Sequence, residues 1–286
     1  MLTLLIALAA AVTTSAAPLD SATSSADRAF VRAAGAGDMK GAAALLDRDF
    51  SWTSLDGATL DAAQVSRALP KPAIADEAGA QSMSYGYGAV GVVEVNAGKL
   101  HTLRVWVKRP AGWRLLVYQE VKSLDAPPAP SAPPPATGTC ENPCGAVPYT
   151  PKSAAEREVM KAYAALEEAA MGGKAREWNE VAADEIALVS GNSDRTFDKA
   201  TRSAAIARAS LGSVRPTKLL SAKLFEFGDA VVMTSQHQSD SGQPIRITRV
   251  WVKRDPSTGL LGASGRWQET LSYQTAVRGT PASGRQ

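Results

Sequence analysis

The chain has 286 residues, with 31 basic against 28 acidic side chains and a net charge of +3. Those charges are mixed along the sequence, which excludes the clustered basic face of a nucleic-acid binder. At this length, and with 45% hydrophobic residues, it suits two globular domains, each able to bury its own core.

The opening stretch is apolar from Leu2 to Val12 and then turns to small residues. That is the layout of a secretory signal peptide over residues 1–16, with cleavage after Ala16. A membrane-spanning helix needs about 20 apolar residues, so this shorter run predicts no stable membrane span. The expectation is an exported protein, periplasmic or secreted. Residues 17–25 read as a flexible lead-in.

The first domain is expected over 26–123. Phe30, Val31 and Ala34 recur at helix spacing behind Ser25 as N-cap, and Asp38 caps a second short helix. Phe50 to Ser54 alternates like a strand, and Asp56-Gly57 is a turn pair. Thr59 opens a third helix that Pro70 and Pro72 stop. Four strands follow, at 81–87, 89–95, 100–108 and 113–121, with hairpin turns between them.

Residues 124–152 are rich in Pro, Ala and Ser and read as a stiff linker. They hold the only two cysteines, Cys140 and Cys144. In an oxidising compartment two thiols this close predict a local disulfide.

The second domain, over 153–277, repeats the order. Ser153 and Glu156 form a capping box, and Met160, Tyr163 and Leu166 make an apolar stripe. Two more helices, a strand over 186–190, and strands at 218–227, 230–238, 245–253 and 267–274 complete it. A tail fills 278–286. Helices first and a strand meander afterwards predict the α+β class, two cone-shaped domains with helices packed on a curved, mainly antiparallel sheet.

One stretch ties the halves together. Arg104–Arg109 reads RVWVKR, and the same letters return at Arg249–Arg254. Around them Tyr85, Tyr87 and Gly88 match Phe225, Phe227 and Gly228, and Trp113 matches Trp267. Tyr118-Gln119 is read as the match of Tyr273-Gln274. This pattern, an R-V-W-V-K-R strand before a G-x-W hairpin, resembles the nuclear transport factor 2-like fold, nearest to its SnoaL-like members of unassigned function. The resemblance implies a sheet wrapped around the first helix, with a pocket in the cone mouth. It also implies that sheet faces can pair, as a homodimer or within one chain.

Enzymes of that superfamily place a carboxylate and a tyrosine inside the cone, and neither half carries the pair complete. Asp49 and Asp56 flank the first strand of domain 1, where the first helix has no Tyr. Tyr163 lies on the first helix of domain 2, whose first strand, 186–190, lacks an acid. His101 is a candidate base, with Glu94 or Glu120 to orient it, but its counterpart in domain 2 is Arg246. The glycines Gly86, Gly88 and Gly91 satisfy G-x-G-x-x-G, yet strands lie on both sides, so a dinucleotide site is excluded. No residues have metal-ligand spacing, and no cofactor is expected. The aromatic and polar residues Trp52, Tyr85, Tyr87, His101, Tyr118 and Tyr163 are the candidate ligand-binding set. The leading expectation is a non-catalytic module that binds a small apolar ligand or a protein partner. The alternatives are an isomerase or cyclase using domain 1, and a purely structural pseudo-dimer.

Overall fold

A computed structural model describes residues 17–126, 140–209, 216–239, 242–255, 260–262 and 265–278. The expected signal peptide, the Pro-rich run over 127–139 and nearly all of the tail lie outside the described residues. No helix among them is long and apolar enough to cross a membrane.

The first unit runs α1 (Ser21–Ala36), α2 (Met39–Ala43), β1 (Leu46–Thr53), β2 (Thr59–Asp61), α3 (Ala62–Arg67), β3 (Gln81–Tyr87), β4 (Val90–Ala97), β5 (Leu100–Arg109) and β6 (Gly112–Lys122). The second runs α4 (Ala154–Met171), α5 (Ala175–Val181), β7 (Ala182–Ser190), α6 (Lys199–Arg208), β8 (Lys218–Phe227), β9 (Ala230–Gln238), β10 (Pro244–Arg254) and β11 (Arg266–Ala276). The sheets are ordered β2-β1-β6-β5-β4-β3 and β7-β11-β10-β9-β8. In each, the first long strand joins the last in parallel and the remaining pairs are antiparallel. The class is therefore α+β, with helices laid on one face of each sheet.

Helix starts follow their caps. Asp20 caps α1, its side chain accepting from the Thr23 amide at 2.7 Å. The helix thus begins at Ser21, inside the stretch expected to be a flexible lead-in. Its buried stripe is Thr23, Asp27, Phe30 and Ala34; two of the four are polar, which hides the apolar period from the sequence. Asp61, not Thr59, caps α3, in a reciprocal box with Gln64, because Thr59 is still paired to β1. Ser153 accepts from the Glu156 amide. The Glu156 carboxylate turns to the Lys152 amide and the Tyr149 hydroxyl instead of closing the expected box.

The period-two alternation of the strands sorts each sheet into two faces. From β5, Trp106 joins the cluster under the helices, whereas Leu103, Val105 and Val107 face the other way. From β10, Trp251 joins the helix-side cluster and Val250 and Val252 face away. The outward faces meet, so that Val92, Val105 and Val117 share one buried cluster with Val232, Val250 and Leu271. The two sheets pack face to face within one chain.

A bulge in each meander corrects the sequence alignment. Pairing of β5 with β6 shifts between Val105 and Trp106, and pairing of β10 with β11 shifts between Val250 and Trp251. Arg104 then sits opposite Tyr118, whereas its equivalent Arg249 sits opposite Ser272. Tyr118 therefore matches Ser272, and Tyr273 matches Gln119. The repeated Tyr-Gln letters are one residue out of step, and one residue reverses the face. Tyr118 points under the helices; Tyr273 points between the sheets.

Edges are covered. Cys140 and Cys144 form a disulfide, with Cα atoms 5.3 Å apart. Asn142 in that loop donates to the Leu219 carbonyl and accepts from the Leu219 amide, both at 2.9 Å, which occupies the edge strand β8. At edge strand β3, the Gly86 amide donates to the Ala17 carbonyl at 2.8 Å. A Cβ on its partner Gly91 would lie 2.7 Å from Leu19 and 2.8 Å from Thr23. The G-x-G-x-x-G spacing thus admits the N-terminal segment to a hairpin turned at Gly88 (φ 64°).

Candidate functional site

The two cones are filled differently. In the first, Trp52 stacks on Tyr118 with centroids 3.8 Å apart, and Phe30 tilts against both. Arg104, 2% exposed, donates to both oxygens of Asp27 at 2.7 and 2.9 Å. It also reaches Glu77 at 2.5 and 3.2 Å. The Trp106 indole donates to Asp27 at 2.8 Å. The segment carrying Glu77 tucks in Ile74 and ties the Ala73 amide to Glu120 at 2.7 Å. Rings and ion pairs close this cone.

In the second cone, Leu188 stands at the strand position of Trp52 and Ser272 at that of Tyr118. Removing two large rings leaves a cavity of about 240 Å³. Its apolar wall includes Trp178, Leu188 and Phe197; its charged wall is Glu167, Arg202, Arg249 and Glu269. Arg249 donates to Glu167 at 3.1 Å, and its Nε lies 2.8 Å from a Glu269 oxygen. Beneath it Arg249 covers the Tyr163 ring, 4.8 Å from the centroid. Glu269 occupies the position of the apolar Leu115 in the first unit. Burial pushes its carboxyl up to about 7 although Arg249 draws it down. Burial also lowers the pKa of the Arg202 guanidinium, against the pull of Glu167 and Glu269. His237, beside the ring of Tyr163, is held by Ser235 at 2.8 Å and Thr217 at 3.1 Å. Burial, then Arg249, depresses it to about 3, so it is neutral at ordinary pH. The Tyr163 hydroxyl is buried with no hydrogen-bond partner among the described residues.

The residues singled out from the sequence are scattered. Trp52 and Tyr118 are packed together in the closed cone, and Tyr163 lies under the open one. Tyr85 and Tyr87 stack on each other between the sheets, where the Tyr87 hydroxyl donates to Glu185 at 3.1 Å. His101 is buried beside Asn96 (2.6 Å) and Ser123 (3.0 Å). Glu94 accepts from Tyr273 and Glu120 from Ala73, so neither of the expected partners orients the histidine. Asp56 is exposed and caps its own turn, accepting from Ser54 and the Ala58 amide. Asp49 is exposed beside Arg48. The three candidate acid–base residues share no cavity. Among the described residues no group of His, Cys, Asp or Glu could hold a metal ion.

Sequence reasoning missed Arg202, Glu167 and Glu269. The signal for Glu269 was the unequal count between Trp113–Tyr118 and Trp267–Tyr273, which marks where the register must be moved.

No family model and no curated protein matches the chain. Solved structures similar to it include an NTF2-like protein from Cytophaga hutchinsonii, 16% identical, covering 41% of this chain and 94% of that one, with a TM-score of 0.34. An NTF2-like protein with a cystatin-like fold from Novosphingobium aromaticivorans is 14% identical, covering 44% and 84%, with a TM-score of 0.34. The CaMKII hub of S. rosetta is 18% identical, covering 44% and 99%, with a TM-score of 0.34. Each spans less than half of this chain, and identities this low carry no residue's role across.

Proposed function

We propose that the protein is an exported binder of a small molecule, with its site in the cone of the second domain and the first domain as a filled, fused partner. One observation carries the reading: the exchange of Trp52 and Tyr118 for Leu188 and Ser272, which opens 240 Å³ beside buried charges. That volume is below the roughly 300–1,000 Å³ of clefts that take drug-sized ligands, which favours a small metabolite. The chemistry narrows the expected apolar ligand to an amphipathic one. An apolar body suits Trp178, Leu188 and Phe197, and an anionic group suits Arg202, because Arg249 is already paired with Glu167 and Glu269. The Cys140–Cys144 disulfide is of the kind kept in oxidising compartments, which supports export.

The test is a thermal-shift screen of the oxidised protein against small aliphatic and aromatic carboxylic acids. A ligand at 100 times its Kd adds about 2.7 kcal/mol, several degrees in midpoint. The control is Leu188→Trp with Ser272→Tyr, which refills the cone as the first domain does. Binding by wild type and none by the refilled variant supports the proposal; equal shifts in both sink it.

A second reading rests on Glu269. A buried carboxyl near 7 facing a cavity is suited to proton transfer. Turnover of a bound acid that Glu269→Gln loses, with binding retained, is the result that favours an enzyme.

A further inference from the structure

The seam between the two sheets is closed at one end and open at the other. At the closed end Tyr85, Leu103, Val189 and Tyr273 pack in the shared cluster, and the Tyr273 hydroxyl donates to Glu94 at 2.8 Å. Strand registers identify the counterparts of these five at the opposite end. Phe225 stands for Tyr85, Thr248 for Leu103, Thr53 for Val189, Gln119 for Tyr273 and Thr234 for Glu94. All five counterparts line a groove of about 410 Å³. The groove is thus not a by-product of joining two copies. At four of the five pairs a larger or more apolar residue at one end is matched by a threonine or glutamine at the other, and only Phe225 keeps a ring.

We propose that this groove binds a neutral polyhydroxylated ligand, a mono- or oligosaccharide. Its wall offers the hydroxyls of Ser51, Thr53, Thr234 and Thr248 and the amides of Gln119 and Gln236. The hydroxyls both donate and accept, as a ligand hydroxyl asks of its site, and Gln119, whose Nε2 is taken up by Arg246, Tyr273 and Thr275, adds its amide oxygen as an acceptor. Phe225 supplies one apolar ring for the C–H face of a sugar. Charges on the wall balance, with Asp49 and Asp61 against Lys223 and Arg246, so no ionic group is demanded of the ligand. Two features show a prepared surface. The Gln119 amide is fixed by donation to the Tyr273 carbonyl at 3.0 Å and the Thr275 hydroxyl at 2.9 Å. Arg246 donates from Nη1 to Gln236 at 2.8 Å, while its buried Nε has no partner among the described residues. That atom is closed to solvent, so Arg246 faces the groove through its terminal nitrogens. The volume lies within the range of ligand pockets, and the groove shares no lining residue with the second cone.

The experiment is calorimetric titration of the oxidised full chain with glucose, maltose, cellobiose, xylobiose and chitobiose, and with a neutral blocked tripeptide as the competing class. Saturable binding of at least one saccharide below about 10 mM is expected. Gln119→Tyr with Thr234→Glu, which copies the closed end, should abolish it, and Thr248→Leu alone should weaken it roughly tenfold. The single variant decides the matter if circular dichroism shows the double one unfolded. The cone-refilling variant should bind saccharide as wild type does, which separates this site from the one in the cone. No saturation by any saccharide, tripeptide binding in its place, or saccharide binding indifferent to Thr248→Leu would overturn the proposal.

Discussion

Arg109 lies over the ring of Phe227, 5.0 Å from its centroid, reaching from the first sheet to the second. The reciprocal contact is Arg254 over Tyr87 at 5.8 Å. Each arginine ends its RVWVKR strand, and each also pairs with a carboxylate on the first long strand of its own unit, Asp47 or Glu185. This is the self-complementary arrangement of a two-fold interface, made inside one chain. Only the Tyr87 side adds a hydroxyl, which donates to the Glu185 that Arg254 also holds.

That asymmetry can be measured. Tyr87→Phe, which copies Phe227, should cost about 1 kcal/mol for one hydrogen bond. Arg254→Met should cost about 3 kcal/mol, because it leaves the largely buried Glu185 carboxylate with only the Tyr87 hydroxyl. Urea denaturation of both variants is the check; equal costs would mean the ion pair adds nothing beyond the hydroxyl.

The share of stability held by the Glu94 carboxyl should fall as pH rises from about 4.5 to about 7. Burial raises Glu94 from its ordinary 4.5 to about 7, against the lowering effect of the Tyr273 hydroxyl. Between those values the folded chain holds a proton that the unfolded chain has released, so this contribution is full below about pH 4.5, shrinks as pH rises from there, and is gone once pH passes about 7. The contribution is on the order of 3 kcal/mol. Glu94→Gln should remove that share of the slope and gain relative to wild type at pH 8. Unfolding free energies at pH 5 and pH 8 give the comparison.

Trp52→Leu with Tyr118→Ser should give the first cone the second cone's interior. Loss of two buried rings predicts destabilisation of at least ~3 kcal/mol. A partly folded product at 25 °C, or one that takes up no xenon in a new cavity, would show that the surrounding helices collapse.

Cys140→Ser with Cys144→Ser should cost about 2 kcal/mol or less, as a five-residue loop closes little chain. The local effect is more telling. Hydrogen exchange at the Leu219 amide, now held by Asn142, should accelerate well beyond that of Val232 in the shared core.

Much of the fold was legible because it is written in spacing. The RVWVKR repeat and the helix-then-strand order each reflect a backbone requirement that single residues signal. The site was not legible for the same reason. Whether Tyr118 or Ser272 faces a cone depends on a bulge, a one-residue event without a letter of its own. The plug of the first cone was equally hidden, since Glu77 reaches Arg104 from a segment with no period. Buried charge was hidden too: Asp27 and Glu269 occupy core positions where an apolar residue is the ordinary expectation.

In a two-fold homodimer each codon is heard twice, once at either end of the seam, so whatever seals one end seals the other. Here the ends answer to different codons. A tyrosine at 273 bolts one door, and a glutamine at 119 leaves the opposite door ajar. Covalent joining thus does more than raise the local concentration of a partner. It lets the two ends of one seam, and the two cones beside it, be furnished with different residues.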